Sequence, residues 1–513
     1  MPIVQINIPP GVRDNGTADQ SEMRWERSSL IRWSKGEMTP VGGFEQDIYS
    51  KPNGTTRKAL AWVVNDGSKW LAAASSDVVT VSSEAGTPYT ITPTDLFSSP
   101  NTKPANDDYE VFWGIFSWGQ NLVMCNNVDG RIYEWQYNAN SQSGDEAKRI
   151  TTANGYTNNA PTDCQNIFVT EERFLFALGA DGDAAKVSWS DREDLGTWAA
   201  SSINEAGDLN LDTEGRLSCG VSFNGKTVIL GTTDCFAATY IGPPYVYGFE
   251  KVGSDCGIIS QNAAVSTPIG VVWMGQKSFY VYDGGRVRSL RCDVNDSVFN
   301  DFSTTEDYLK CIWAFHNAEF NEVWWFYPRN NGQDARDNGS YVVYNYVENT
   351  WTIGGDDVPG STPDTPQYSG LSRLPRTAGV GPDVLGRTIW YGNVVYEHEI
   401  AGGDFIPFTG DAPYAFAMSA PFYASPQKNI VTATQMMQDV ENSTGSEFWM
   451  YSKNYPNQAE IRTPASGSGN YALANPTDIR VTGRQFRLVL QMDDGQSTKA
   501  GSFMLNVQEN GTR

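Results

Sequence analysis

A polar turn recurs along this chain at Gly67, Gly119, Glu172, Gly225, Gly270, Asn321 and Gly386, at intervals of 52, 53, 53, 45, 51 and 65 residues. A period near 50 residues is the signature of a repeat architecture, in which each unit leaves faces that only its neighbours can cover. Each turn is followed by a short apolar or aromatic run: 70–74 (WLAAA), 122–125 (LVMC), 174–178 (FLFAL), 228–230 (VIL), 271–274 (VVWM), 323–327 (VWWFY) and 389–391 (IWY). These runs have the lengths and the β-branched or aromatic content of strands, and read as buried inner strands. A second run follows in each unit, and most turns are preceded by another, such as 60–64 (LAWVV) or 312–315 (IWAF). Three strands with a variable outer fourth make one blade, and blades of this kind stack around an axis. The expected fold is therefore all-β: a six- or seven-bladed β-propeller over residues 51–404.

The flanks break this rhythm. Residues 1–50 hold two short strand candidates around Ser34 to Glu37, an arm and a hairpin too small for a core of their own. After residue 404 the pattern changes to strands such as 484–492 (RQFRLVLQM), where Phe486, Leu488, Leu490 and Met492 alternate with mostly polar residues, as a half-buried strand does. Residues 405–513 are expected to form a β-sandwich platform that the N-terminal arm completes. Within the propeller, residues 354–386 are too rich in Gly and Pro for a packed element and read as a surface insertion. Its charged residues Asp356, Asp357, Asp364, Arg373 and Arg376 are the candidate interaction loop.

Composition narrows the function. Sixty acidic residues against 37 basic ones leave a formal charge of −23, which opposes binding to nucleic acid phosphates and suits solubility or a wall past which DNA slides. The longest apolar run, Ala59 to Val64, is far short of the roughly 20 residues of a spanning helix. The opening residues show no secretory signal, and seven scattered cysteines without a C-x-x-C pair suit buried thiols in a reducing cytoplasm.

No reactive constellation stands out. There are two histidines, His316 in a strand and His398 between Glu397 and Glu399, where flanking carboxylates would raise its pKa. Residues 181–186 (DGDAAK) and the acidic cluster around Asp334 and Asp337 could offer oxygen ligands to calcium, but Asp-Gly pairs serve turns as readily. Residues 190–198 (SDREDLGTW) resemble a degenerate Asp box, the hairpin of sialidases and other carbohydrate-active propellers, in which the Asp caps a turn and the Trp packs. Such a box reports fold rather than catalysis. No catalytic residue, cofactor or metal site is expected.

The chain also resembles a family. Residues 24–25 (RW) and 30–45 (LIRWSKGEMTPVGGFE), then 189–200 (WSDREDLGTWAA) followed by 228–242 (VILGTTDCFAATYIG), and finally 481–494 (VTGRQFRLVLQMDD), are similar to segments of the tail nozzle or hub proteins of short-tailed (podovirus) bacteriophages. The resemblance implies a non-enzymatic virion protein, made in the host cytoplasm and assembled into the tail. It would form a homohexamer below the portal, dock on a phage adaptor protein, anchor a tail fibre or tailspike protein, and let genome DNA pass without sequence-specific binding. The adaptor-facing candidates are Trp25, Arg32 and Trp33, on the arm that completes the platform. The alternative is a carbohydrate-binding or glycan-cleaving propeller of a virion.

Overall fold

The computed structural model describes residues 3–16, 20–105, 107–138, 145–329, 339–354, 376–400, 415–465, 468–492 and 498–511. Seven four-stranded antiparallel sheets follow one another along the chain. They begin at Lys58–Val63, Trp113–Trp118, Asn166–Val169, Leu217–Phe223, Ala264–Thr267, Trp313–Asn317 and Ala378–Val380. We number the blades 1 to 7 in that order. These seven first strands touch one another in sequence, and the first strand of blade 7 touches that of blade 1, so they close a ring around an axis. The fold is a seven-bladed β-propeller.

Six of the seven polar turns fall between the first and second strands of a blade, and Gly270 opens the second strand of blade 5. The apolar runs after the turns are buried as expected, but they stand one place out from the axis. The reason lies in which faces are covered. A second strand such as Glu322–Tyr327 is buried at every residue, because neighbouring blades cover both its faces. A first strand such as Lys58–Val63 is mostly half-buried, because one of its sides lines the axial cavity.

Blade 7 is assembled from both ends of the propeller sequence. Its first three strands are Ala378–Val380, Thr388–Tyr391 and Val395–Ile400, and its fourth is Gly43–Gln46, with Phe44 opposite His398 in register. The expected boundary at residue 50 is therefore crossed by the strand order. The expected insertion at 354–386 is also shorter than its composition suggests, since Ala378–Val380 is the axial strand of blade 7 and Pro382–Leu385 a short helix beside it. Residues 355–375 of that stretch lie outside the described residues.

Two further sheets form the sandwich. In one, Ile31–Ser34, Glu37–Pro40, Lys499–Gly511, Ile430–Glu441 and Thr477–Gly483 lie in that order, with Ile3–Ile6 also on Lys499–Gly511. In the other, Trp25–Ser29, Ala415–Ser419, Gln485–Met492, Glu447–Lys453 and Ile461–Thr463 do so. The hairpin of Ile31–Ser34 and Glu37–Pro40 turns through Lys35 and Gly36, both with positive φ, the geometry that two-residue hairpins require. Gln485–Met492 is buried on both faces, not half-buried. Phe486, Leu488, Leu490 and Met492 enter the main core, while Val489 packs with Met418, Trp449 and Tyr451.

The sandwich sits against the propeller. Ser28 Oγ donates to the Ile353 carbonyl at 2.9 Å, the Leu30 amide donates to Tyr341 Oη at 2.7 Å, and the Val12 amide donates to the Trp351 carbonyl at 2.7 Å. A single apolar core runs from Ile6, Trp25 and Trp33 through Trp324 and Trp351 to Leu488 and Phe503.

Candidate functional site

Two places concentrate polar chemistry inside this apolar frame. The first is the joint between sandwich and propeller. Strand Ile31–Ser34 carries Arg32 toward the turn region of blade 6 and the bulged end of blade 7, where Glu322 and Glu399 converge on it. Its Nε and Nη2 donate to the two Glu322 oxygens at 2.6 and 2.8 Å, and Nη2 and Nη1 donate to Glu399 at 2.6 and 3.1 Å. The guanidinium lies 3.5 Å from the centroid of the Phe320 ring. The remaining capacity of the carboxylates is taken by Trp324 Nε1 on Glu322 at 2.9 Å, and by the Gly42 amide and Asn317 Nδ2 on Glu399, both at 3.1 Å. Burial alone would lower the Arg32 pKa, but the two carboxylates outweigh it and hold the guanidinium above its ordinary range.

Glu399 can reach Arg32 because the backbone is bent at that point. It has a φ of +64°, and the register of Val395–Ile400 against Gly43–Gln46 slips between His398 and Ile400. A bulge of this kind re-aims a side chain that regular pleating would direct elsewhere.

The expected adaptor-facing residues are all internal. Trp25 and Trp33 are buried with ring centroids 6.2 Å apart, and Arg32 is held in the ion cluster, so none of the three presents a surface to another protein. They are joint residues. Of the candidate interaction loop, Asp356, Asp357, Asp364 and Arg373 lie outside the described residues. Arg376 is fully buried, which removes it from a solvent-facing loop. Its guanidinium lies 4.3 Å from the Tyr396 ring, and its Nε donates to His398 Nε2 at 3.0 Å.

That hydrogen bond fixes the state of His398. Only a neutral imidazole can accept at Nε2, so the ring carries its proton on Nδ1. Burial and the neighbouring guanidinium push its pKa well below the ordinary histidine value, the reverse of the rise expected from Glu397 and Glu399. His316, half-buried beside the axial cavity, is also lowered by burial.

The second place is that axial cavity, of about 550 Å³, to which the first strands of all seven blades contribute. At the end where these strands begin, two short helices, 107–110 and 306–309, meet across the axis, with the Tyr109 and Tyr308 rings 4.9 Å apart. Gln261 Nε2 donates to the Trp113 carbonyl at 3.4 Å from blade 5 toward blade 2, and Lys58 Nζ donates to Asn262 Oδ1 at 3.3 Å from blade 1 toward blade 5. Side chains of different blades thus approach one another at that end. The other end carries exposed Ser266 and Asp383 at its rim. Lys58 escaped sequence reasoning, since a lysine opening an apolar strand looks like ordinary surface.

The Asp-box-like hairpin serves its turn. Asp194 accepts from the Gly196 amide at 2.7 Å and from Thr197 Oγ1 at 2.8 Å, while the buried Trp198 indole donates to the Leu195 carbonyl at 2.8 Å. Asp181 is paired with Lys186 at 3.0 Å, and Asp334 and Asp337 lie outside the described residues. Among the described residues no group of three His, Cys, Asp or Glu side chains is placed to hold a metal ion. All seven cysteines are buried.

No protein-family model and no curated protein sequence matches the chain. Solved structures similar to it are propellers. Virginiamycin B lyase from Staphylococcus aureus is 9% identical and covers 69% of this chain and 98% of its own, with a TM-score of 0.39. The Pan2 WD40 domain of Neurospora crassa is 9% identical over 74% of this chain and 99% of its own, with a TM-score of 0.37. YCF48, solved bound to a D1 peptide, is 11% identical over 72% of this chain and 99% of its own, with a TM-score of 0.37.

Proposed function

We propose that this chain is a structural component of a short-tailed phage virion, a tail nozzle or hub subunit that assembles into a homohexameric ring, docks on an adaptor and anchors a fibre or spike. The observation that carries the reading is the continuity between its two bodies. The N-terminal arm supplies strands to both sandwich sheets and the closing strand to blade 7, and the joint between them is filled by core tryptophans and a buried ion cluster. A subunit built this way transmits force between its ends without a hinge, which suits a part that stays attached while a genome passes.

The first strands of the seven blades enclose an axial cavity of only about 550 Å³, so a DNA path in this reading runs between subunits and not through one. Six copies would bring a formal charge of roughly −140 to the ring, and a share of it facing the lumen would repel the duplex and keep it moving. The adaptor and fibre surfaces then lie on exposed residues of the sandwich or the blade rims, since the arm's tryptophans are internal.

Light scattering on the purified protein, alone and with its adaptor-loaded heads, tests the proposal together with a polysaccharide cleavage screen. A ring near six times 56.5 kDa on the heads, without cleavage, is the expected result. A persistent monomer that cleaves glycans would overturn it.

A further inference from the structure

The axial cavity has a polarity that the structural role leaves unused. Lys58 stands at the end where the first strands begin, and Asn262 Oδ1 at 3.3 Å is the acceptor its ammonium meets there. No carboxylate pairs with Lys58 among the described residues. An ammonium has three donors, so Asn262 leaves two of them to the cavity. Burial without a counter-charge costs free energy and disfavours the charged form, and the Lys58 pKa is lowered for that reason. The neighbouring Arg57, also in the lining, has its guanidinium 5.7 Å from the Tyr109 ring centroid.

The walls are mixed. Phe116 and Phe315 supply aromatic surface, while Gln261, Asn262 and Ser222 supply amide and hydroxyl groups. A volume of about 550 Å³ falls inside the range of about 300–1,000 Å³ in which small molecules are held, and the exposed rim at Ser266 and Asp383 gives a way in. The end where the first strands begin offers the Lys58 ammonium, which no described carboxylate pairs, with Arg57 beside it in the lining, and the rim carries an acidic side chain. This pattern fits a negative charge directed inward on a polar body large enough to reach the amide, hydroxyl and aromatic walls of a cavity of about 550 Å³, which phosphate is too small to do.

We propose that the axial cavity of the propeller binds a small carboxylate-bearing polyol of the hexuronate class, with the carboxylate on Lys58, the hydroxyls on the amides and Ser222, and the ring face against the aromatic wall. The inference is independent of the nozzle reading, because the cavity belongs to one subunit and needs no ring.

Titration calorimetry of the full chain with D-glucuronate, D-glucose and inorganic phosphate tests it, in the wild type and in Lys58→Met. One-to-one binding of glucuronate that weakens at least tenfold in Lys58→Met, with glucose and phosphate each at least tenfold weaker than glucuronate, is expected. Absence of glucuronate binding to the wild type overturns the proposal, as does binding that Lys58→Met leaves unchanged or a preference for glucose or phosphate. Should Lys58→Met fold poorly, ¹³C-dimethylated lysine in the wild-type protein supplies the reading. The Lys58 methyl signal should move on adding glucuronate and stay on adding glucose, and a signal that ignores glucuronate sinks the assignment.

Discussion

Arg32 is the residue whose loss should do most to separate the two bodies of this protein. Its side chain and that of Glu322 are each 4% exposed, and that of Glu399 is 8% exposed. Replacing Arg32 by Met leaves two carboxylates in the joint without their cation. Among the described residues Glu322 keeps the Trp324 indole, and Glu399 keeps the Gly42 amide and Asn317. Breaking one partner out of a buried ion cluster costs about 3–5 kcal/mol, because the remaining charge is neither solvated nor paired. The lost contact with Phe320 adds on the order of 1 kcal/mol. Neutralising the carboxylates as well, in Arg32→Met with Glu322→Gln and Glu399→Gln, should recover a large part of that loss, since the expense lies in the orphaned charges and not in the absence of attraction. Urea unfolding followed by tryptophan fluorescence is a suitable assay, because Trp25, Trp33 and Trp324 all lie in the core beside the joint. With two bodies in one chain, the first transition is the quantity to compare and no single two-state value describes the whole. The expected pattern is an early transition in Arg32→Met that moves back toward the wild-type position in the triple variant. A single variant within about 1 kcal/mol of wild type, or a triple variant worse than the single one, would refute the reasoning.

Four other outcomes follow from the packing of the propeller. Because His398 is held neutral, with a folded pKa well below the unfolded value, its contribution to stability is fully present above the ordinary histidine range. That contribution is lost as the pH falls below about 6.5, at a slope approaching about 1.4 kcal/mol per pH unit. Unfolding curves of His398→Gln measured from pH 7 to pH 5 should have a shallower pH dependence than wild type, and identical slopes would count against the buried neutral state. Phe44→Ala removes a 1%-exposed ring opposite His398 from the closing strand and should cost about 3–5 kcal/mol, while truncation of residues 1–46 should expose the edge of Val395–Ile400 and yield aggregates in size-exclusion chromatography instead of a folded propeller. In Gly257→Ala the new Cβ would lie 1.8 Å from the Thr232 carbonyl oxygen, a backbone atom that cannot rotate away, so thermal melting should reveal a loss of at least about 1–3 kcal/mol.

Much of the propeller was legible because its signal is local. The seven polar turns mark hairpins whose two strands adjoin in sequence, and the runs that follow them are apolar at every position because both faces are covered. Closure was not legible. Gly43–Gln46 is four residues long, and its partner strand Val395–Ile400 lies some 350 positions away, so nothing in its own composition distinguishes it from a loop. The same distance hid the joint. Arg32 beside Trp33 in a short hairpin looks like an exposed contact surface until Glu322 and Glu399, 290 and 367 residues further on, are brought against it.

His398 is a sharper case, because its two neighbours in sequence are not its partners in space. Adjacent residues in a strand point to opposite faces, so carboxylates at 397 and 399 are the two groups a strand histidine at 398 is least able to meet. The alternation in 395–400 (VYEHEI) already places His398 on the face away from its neighbours, and the structure puts there the Arg376 guanidinium, the Trp390 ring 3.8 Å from the imidazole and Phe44 at 4.5 Å. The bulge at Glu399 then sends that carboxylate to Arg32. Two acidic residues that flank a histidine in sequence thus serve different partners. Glu397 accompanies Arg387 at 3.7 Å on the half-exposed side of the blade, and Glu399 closes the joint between propeller and sandwich. The charge pattern of that segment is therefore a record of tertiary contacts with three separate partners, and its apparent local cluster exists only along the chain.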